Sequence, residues 1–416
     1  MNKPSVVVIG AGIVGAASAL WLRRKGLDVT LIDKNTPGHG ASFGNGGILA
    51  RCSVVPVTGP GLMAKAPGYL LNRNFPLFMR WRHLPRLLPW LARYMANANA
   101  KDTTRISHGL NALLGDSVDQ HLALSAGTPA AKWVKTSDYS YVYRDRAAFE
   151  ADRFAWDLRR DAGFEPEIVE GAEVRAREPI LGQDAGLLAV NKDHGYVTDP
   201  ANYVQDLVQV FEEMGGKRVQ AEVKDFTYTG DKITAVETDQ GAFPCTHTVL
   251  AAGVWSKPLM QKLGVQVPLE AERGYHILFK GPSQTPNAPM MLAEGKFVAT
   301  PMAAGLRCAG VVEFGGLSET KSRAPLDLLR KSVRRMFPGL TAESEKEWLG
   351  FRPAPTDSLP LVGEIRGSGV FTAFGHHHIG LTGGPKTGRL IADLIGGDTP
   401  NADLSPFDPM RFTKRA

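Results

Sequence analysis

Four groups of residues in this 416-residue chain have the types and spacing to do chemistry. The first is Gly10-Ala11-Gly12-Ile13-Val14-Gly15, a Gly-x-Gly-x-x-Gly turn set between the apolar run Val6–Ile9 and the helical pattern Ile13–Lys25. Eighteen residues past Gly15, the apolar run Val29–Ile32 ends in Asp33 and Lys34. Strand, glycine turn, helix, strand and acid in that order bind dinucleotides. Gly10 permits the tight turn, Gly12 lets backbone approach a pyrophosphate, and Gly15 lets helix pack on strand, while Asp33 can accept hydrogen bonds from a ribose diol. The helix N-terminus turns its unpaired N–H groups toward the phosphates. A glycine-rich turn in an unrelated α/β protein would leave Asp33 without a role.

The second group is Arg352 in Gly350-Phe351-Arg352-Pro353. A guanidinium beside a proline-stiffened turn offers a carboxylate two parallel N–H groups, although position alone fits a surface arginine equally. The third, Arg273-Gly274-Tyr275-His276, sets a phenol and an imidazole where they could reach a carboxylate or amine, or simply edge a strand. The fourth is His376-His377-His378. Consecutive side chains diverge, so the run suits a loop lying against a cofactor or substrate better than a metal site. The chain has no Gly-x-Ser-x-Gly, His-Glu-x-x-His or Cys-x-x-Cys, and its three cysteines are scattered, which disfavours hydrolase, metal and disulfide readings and fits a reducing compartment.

Several elements must position these groups. Thr36–Gly47, dense in glycine and small polar residues, can bring backbone N–H groups and a hydroxyl close to a phosphate or a ring system. Residues 51–145 read as loop and then helices, with Leu84, Leu87, Leu88, Leu91 and Met95 on one face. A charged helix is expected around Phe149–Ala162, and another from Pro200 to Glu213 capped by Thr198 or Asp199. Strands are expected at 218–222, 233–238, 248–252 and within 274–314, then a basic helix at Leu326–Met336. The tail supplies a strand, Val370–Phe374, a glycine-rich turn from Gly375 to Gly384, and a closing helix, Pro385–Leu394. This is an α/β pattern with a discontinuous Rossmann-like domain (1–50, 196–262 and 350–416) and an inserted α+β domain (51–195 and 263–349).

With 43% apolar and 22% charged residues, the composition is that of a soluble globular protein. The net charge of +6 is concentrated, because Arg51–Ala100 carries seven bases and no acid and leaves the rest of the chain at −1. Around 73–95 these bases mix with Trp81, Phe75 and Phe78, a mixture suited either to a helix packed on its own domain or to an anionic bilayer surface. No apolar run reaches the roughly 20 residues of a membrane span, and the first strand begins too early to leave room for a signal peptide. The expected location is the cytoplasm or the inner face of its membrane.

The motifs Ala41-Ser42-Phe43-Gly44-Asn45-Gly46-Gly47, Val249–Ser256, Arg273–His276, Gly350–Pro353 and Gly380-Leu381-Thr382, taken with the opening turn, resemble the glycine oxidase and D-amino-acid oxidase superfamily of FAD enzymes. The chain looks most like the D-amino-acid dehydrogenases of the small-subunit type and their hydroxyproline-type relatives, from Val6 to about Gly397. The resemblance implies a Rossmann-like FAD-binding domain with an inserted substrate domain. It implies FAD contacts at Gly10, Gly12, Ile13, Val14, Gly15, Asp33, Lys34, Ser42, Asn45, Gly46 and Gly47, at Val223, Gly253 and Trp255, and at Gly375, Gly380, Leu381 and Thr382. It implies that Arg352 binds the substrate carboxylate, with Tyr275, His276 and His378 on the substrate side and no metal. Two departures stand out: relatives often read Gly-His-Gly-His where this chain has Gly375-His376-His377-His378, and glycine oxidases place a tyrosine near Phe297. With no histidine in Ser42–Gly47 to tether it, the FAD should be non-covalent.

The implied reaction is oxidative deamination of a D-amino acid, hydroxyproline-like ones included, by hydride transfer from Cα to flavin N5. His276, His378 or water takes the ammonium proton, and a quinone or other acceptor, or a partner subunit, takes the electrons. Two alternatives stay open: a sarcosine- or proline-type secondary-amine oxidase, and a non-catalytic FAD-holding subunit. Nucleic acid is disfavoured as a partner.

Overall fold

The computed structural model describes residues 4–62, 68 and 75–413. The helices that bear on the site are α1 (Ile13–Arg24), α2 (Leu84–Ala96) and α3 (Gly380–Gly396). Strands are numbered along the chain.

Strand β1 (Ser5–Ile9) is buried on both faces, as an unbroken Val-Val-Val-Ile run requires. It lies inside a six-stranded sheet ordered β18 (Leu361–Glu364), β19 (Val370–Phe374), β12 (His247–Leu250), β1, β2 (Asp28–Asp33), β8 (Lys217–Gln220). All neighbours are parallel except β18 and β19. On one face Val6 and Val8 pack with Leu20 of α1, Leu207 of the helix Pro200–Glu213 and Leu390 of α3. On the other, Val7 and Ile9 meet Phe226 and Val236 of an antiparallel trio, β9 (Val223–Thr229), β10 (Lys232–Thr238) and β11 (Gly241–Pro244).

A larger sheet runs β17 (Ser344–Pro355), β13 (Leu269–Lys280), β16 (Gly305–Phe314), β15 (Phe297–Met302), β14 (Met290–Leu292), β5 (Val134–Tyr143), β7 (Leu187–Val197), β3 (Ile48–Leu49). Strand β4 (Leu77–Met79) joins β16, and β6 (Glu167–Glu170) joins β7. The basic helix Arg323–Met336 closes one face through Leu326, Leu329 and Val333. Phe297 belongs to this core, against Phe337, and does not line the cavity described below.

Asp199 caps the helix at Pro200, its Oδ1 accepting from the N–H groups of Ala201 and Asn202. Three expectations need correction. The charged helix comes as two short ones, Arg146–Ala151 and Arg153–Asp161. The last helix starts at Gly380 and carries Pro385 inside it. Pro385 has no N–H for the Leu381 carbonyl, and His121 Nε2 supplies the missing donor at 2.9 Å. In α2 the buried stripe is Leu87, Trp90 and Tyr94, while Leu88 is exposed. The rings cover more apolar area than the leucines and so set the helix rotation, and Trp90 Nε1 donates to the Ala354 carbonyl at 2.9 Å. Lys65 and Arg73 of the basic block lie outside the described residues; no helix among the described residues is long and apolar enough to cross a membrane.

A Cβ at Gly15 would stand 1.8 Å from the Gly10 carbonyl oxygen. The G15A substitution therefore gains about 1 kcal/mol in helix propensity but costs about 3 kcal/mol or more in overpacking. Urea melts should show net destabilisation, together with weakened retention of FAD; a variant as stable as the parent would contradict this packing.

Candidate active site

A large cavity of about 1520 Å³ opens at the C-terminal ends of β1, β2 and β12 and is walled on its far side by the larger sheet. Gly10 turns there with φ +104°, a conformation that favours glycine. Gly12 sits at the N-cap of α1 and brings no side chain to cap it. The Ile13 N–H donates to Ser42 Oγ at 3.0 Å, and the Ala11 N–H to Asp33 Oδ2 at 2.7 Å, so the glycine turn, the acid and the following loop form one unit. Asp33 Oδ1 also accepts from Asn35 N–H.

The loop 42–47 is held from the larger sheet. Arg307 Nη1 donates to the carbonyls of Phe43 and Asn45 at 2.9 and 2.7 Å, Thr300 Oγ1 to that of Gly46 at 2.6 Å, and His276 Nδ1 to that of Gly44 at 3.1 Å. Burial pushes the Arg307 guanidinium down to about 10.

Of the residues singled out by sequence, Gly10, Gly12, Ile13, Val14, Asp33, Lys34, Ser42, Asn45, Gly46, Val223, Gly253, Trp255, Arg352, Gly375, His378, Gly380, Leu381 and Thr382 all line the cavity. Lys34 Nζ lies 4.4 Å from the centre of the Trp255 ring at one end. Gly15 and Gly47 are off the wall: Gly15 serves the strand–helix contact, and Gly47 donates its N–H to Asn45 Oδ1. His276 is also off it. Its ring stacks on Trp348 at 5.1 Å, and burial, helped by Arg307, pushes the imidazole down to about 3, so it is a neutral structural group and not a substrate-side base. Tyr275 touches the wall, but its hydroxyl donates to Glu313 Oε2 at 2.6 Å and accepts from Arg273 Nη2. That phenol is engaged elsewhere. His376 Nε2 meets Thr387 Oγ1 at 2.9 Å inside the helix packing. His378 is exposed to the cavity.

The substrate end is built around Arg352, which the sequence singled out, and Glu272, which it did not. Arg352 lies across Gly274 of the neighbouring strand, where a Cβ would stand 2.5 Å from the guanidinium carbon. Glu272, its partner in the β13–β17 register, accepts from Arg352 Nη1 at 2.5 Å through Oε1. The other oxygen of Glu272 accepts from His377 Nε2 at 2.6 Å. Burial opposes ionisation of this carboxyl, yet His377 and Arg352 outweigh burial and hold it well below the usual carboxylate range. Side-chain exposure is 23% for Arg352 and 6% for Glu272, so the guanidinium faces the cavity and the carboxylate stands behind it. Such an arrangement fixes a fork of N–H groups for an incoming carboxylate. A further cation, Arg159, lines the same cavity between the rings of Tyr141 and Trp156, at 4.5 and 4.6 Å.

Residues 5–394 match the family model described as FAD dependent oxidoreductase, DAO. A D-amino-acid oxidase of Bradyrhizobium diazoefficiens is 37% identical over 98% of both chains. D-amino acid dehydrogenase 2 of Ralstonia nicotianae is 30% identical over 97% of this chain and 99% of that one. Among solved structures, glycine oxidase from Bacillus cereus superposes with a TM-score of 0.73 at 20% identity, over 96% of each chain, a likeness of fold.

Replacing Glu272 by Gln leaves Arg352 and His377 facing a neutral amide in a buried site, a loss of about 3–5 kcal/mol at pH 7. Because the folded carboxyl is depressed, its contribution is complete above the unfolded value near 4.3 and fades as pH falls below it. Denaturant melts of parent and E272Q should therefore converge by ~1 kcal/mol or more between pH 7 and about pH 3. A gap independent of pH would contradict the ion pair.

Proposed function

The chain belongs to the family of FAD-dependent oxidoreductases, and from that premise we propose that it oxidises the Cα–N bond of a D-amino acid bound through its carboxylate to Arg352. FAD, when bound, supplies the two-electron acceptor. The residues fit this cofactor: Gly10 and Gly12 leave bare backbone at a helix N-terminus whose N-cap brings no side chain, and the cavity, about 1520 Å³, exceeds the roughly 300–1,000 Å³ of single-ligand pockets. Cofactor and amino acid can share it.

In this reading Gly10, Gly12, Ile13 and Val14 hold the pyrophosphate, and Asp33 and Lys34 the ribose end, with Val223, Gly253 and Trp255 beside them. Ser42, Asn45, Gly46 and the stretch Gly375–Thr382 surround the ring system. The six-stranded sheet and its covering helices make the FAD-binding domain, drawn from 1–50, 196–262 and 350–416; the larger sheet carries the substrate.

The observation that carries the proposal is the guanidinium of Arg352, anchored by Glu272 over Gly274 on the wall of the cavity that holds the glycine turn. An amino-acid carboxylate docked there has its Cα placed for it, and fixing that geometry in advance is worth several kcal/mol of barrier. The names of the two curated relatives favour a D-amino acid. We place the protein in the cytoplasm and propose contact with an anionic membrane face through 73–95, where Trp81, Arg82, Arg86 and Leu88 are exposed. High salt should then release it from membranes; a protein wholly soluble at low salt would contradict the contact.

Anaerobic mixing of the FAD-loaded protein with D-, L- and cyclic amino acids, followed at about 450 nm where oxidised flavin absorbs, tests the function. Bleaching by a D-amino acid is expected, and R352K should raise KM by about 10- to 100-fold, since a lysine cannot reproduce the fork. Bleaching by sarcosine or L-proline alone would contradict the substrate class.

A further inference from the structure

His377 has an unusual backbone. Its φ is +51°, in the left-handed region that non-glycine residues seldom occupy, and the following chain continues into α3. The strained turn is fixed from two sides. The His377 N–H donates to the Pro353 carbonyl at 3.0 Å, and Nε2 donates to Glu272 at 2.6 Å. Strain held in place this firmly is characteristic of functional sites. His377 is 95% buried and lines the cavity, and its other ring nitrogen, Nδ1, has no hydrogen-bond partner. The groups facing it are Glu272 from β13, Arg352 from β17 through that carboxylate, and the His378 ring at 4.8 Å; Tyr94 of α2 lies close to Glu272.

We propose that the His377–Glu272 pair is the acceptor for the proton that the substrate ammonium must lose before oxidation. The inference rests on the reading of Arg352 as the carboxylate site. Charge in the buried site decides the matter. Arg352 and Glu272 cancel, and a zwitterionic amino acid adds no net charge. If the ammonium proton left for bulk water, the site would keep an unbalanced carboxylate. If it moves to Nδ1, the imidazolium sits against Glu272 and the net charge stays at zero. The nitrogen–hydrogen bond of the ammonium breaks, a bond to Nδ1 forms, and the amine keeps its electron pair. Glu272 thereby serves two groups with one carboxylate, orienting Arg352 through Oε1 and stabilising the protonated ring through Oε2.

Flavin reduction by the best D-amino acid, measured anaerobically from about pH 6 to about pH 10 with the FAD-loaded parent, H377G, H377Q and H378Q, tests this. Glycine suits the left-handed backbone, and glutamine can still donate to Glu272 but cannot hold the proton. For the parent, kcat/KM should stay nearly level as pH falls below the amine's own value. In both His377 variants it should fall about tenfold for each pH unit below the amine's own value, leaving a loss of about 100-fold near pH 7 that alkaline pH restores. H378Q should keep the parent's profile shape. Thermal melts and FAD retention identify any variant lost to misfolding, and the surviving His377 variant then decides. Parent-like profiles in both His377 variants, a loss equal at every pH, or the shifted profile appearing in H378Q instead would overturn the inference alone. A parent that no amino acid reduces would overturn the functional reading and this inference with it.

Discussion

The site depends on one buried carboxylate. Glu272 ties Arg352 on the next strand of the larger sheet to His377, which stands at the C-terminal end of β19 in the other sheet. Removing a carboxylate from water costs several kcal/mol, and a single partner rarely repays it. Two partners at 2.5 and 2.6 Å do, and the carboxyl stays ionised despite full enclosure. The pair of sheets that frames the cavity is thereby tied by the same group that aims the guanidinium into it.

This double use has an electrostatic consequence. A guanidinium already paired with a carboxylate attracts a second carboxylate less than a free one would, so charge alone does not draw substrate to Arg352. Geometry supplies the remainder. Gly274 gives the side chain room to lie flat across the strand, and Glu272 engages Nη1, which leaves the fork toward the cavity ready without a search over rotamers. On the cofactor side the logic is similar but relies on backbone. Gly10 and Gly12 bring main chain to the cavity, and the loop 42–47 behind them is clamped by hydrogen bonds from Arg307, Thr300 and His276.

The parts legible in the sequence are those set by local rules. The run Val6–Asp33 fixes strand, turn, helix and strand within one stretch of chain, because each glycine answers a local need. The fold class followed from it and from the order of strands and helices after it, and the FAD-dependent family from it together with the motifs at 41–47, 249–256, 273–276, 350–353 and 380–382. Glu272 was not legible. The strand Leu269–Phe279 is buried along its whole length, so no alternation marks which side chains face the cavity, and a glutamate there looks no different from one at an edge. The left-handed turn at His377 depends on Pro353 and Glu272, far away in sequence, and the histidine run therefore pointed to His378 instead. The engaged phenol of Tyr275 and the stacked ring of His276 have the same origin, since their partners Glu313 and Gly44 are 38 and 232 residues distant. The early start of α3 escaped notice because the donor that replaces the Pro385 N–H comes from His121, on another helix.

The role of Arg352 is tested most directly by where a substrate carboxylate binds. A crystal structure of the FAD-loaded protein with 2-aminoisobutyrate, an amino acid that has no Cα–H and so cannot be oxidised, measures this. The carboxylate should lie forked on Arg352, with Glu272 still engaged at Nη1 and the amine on the His377 side. A carboxylate seated on Arg159 with Arg352 untouched would contradict that role.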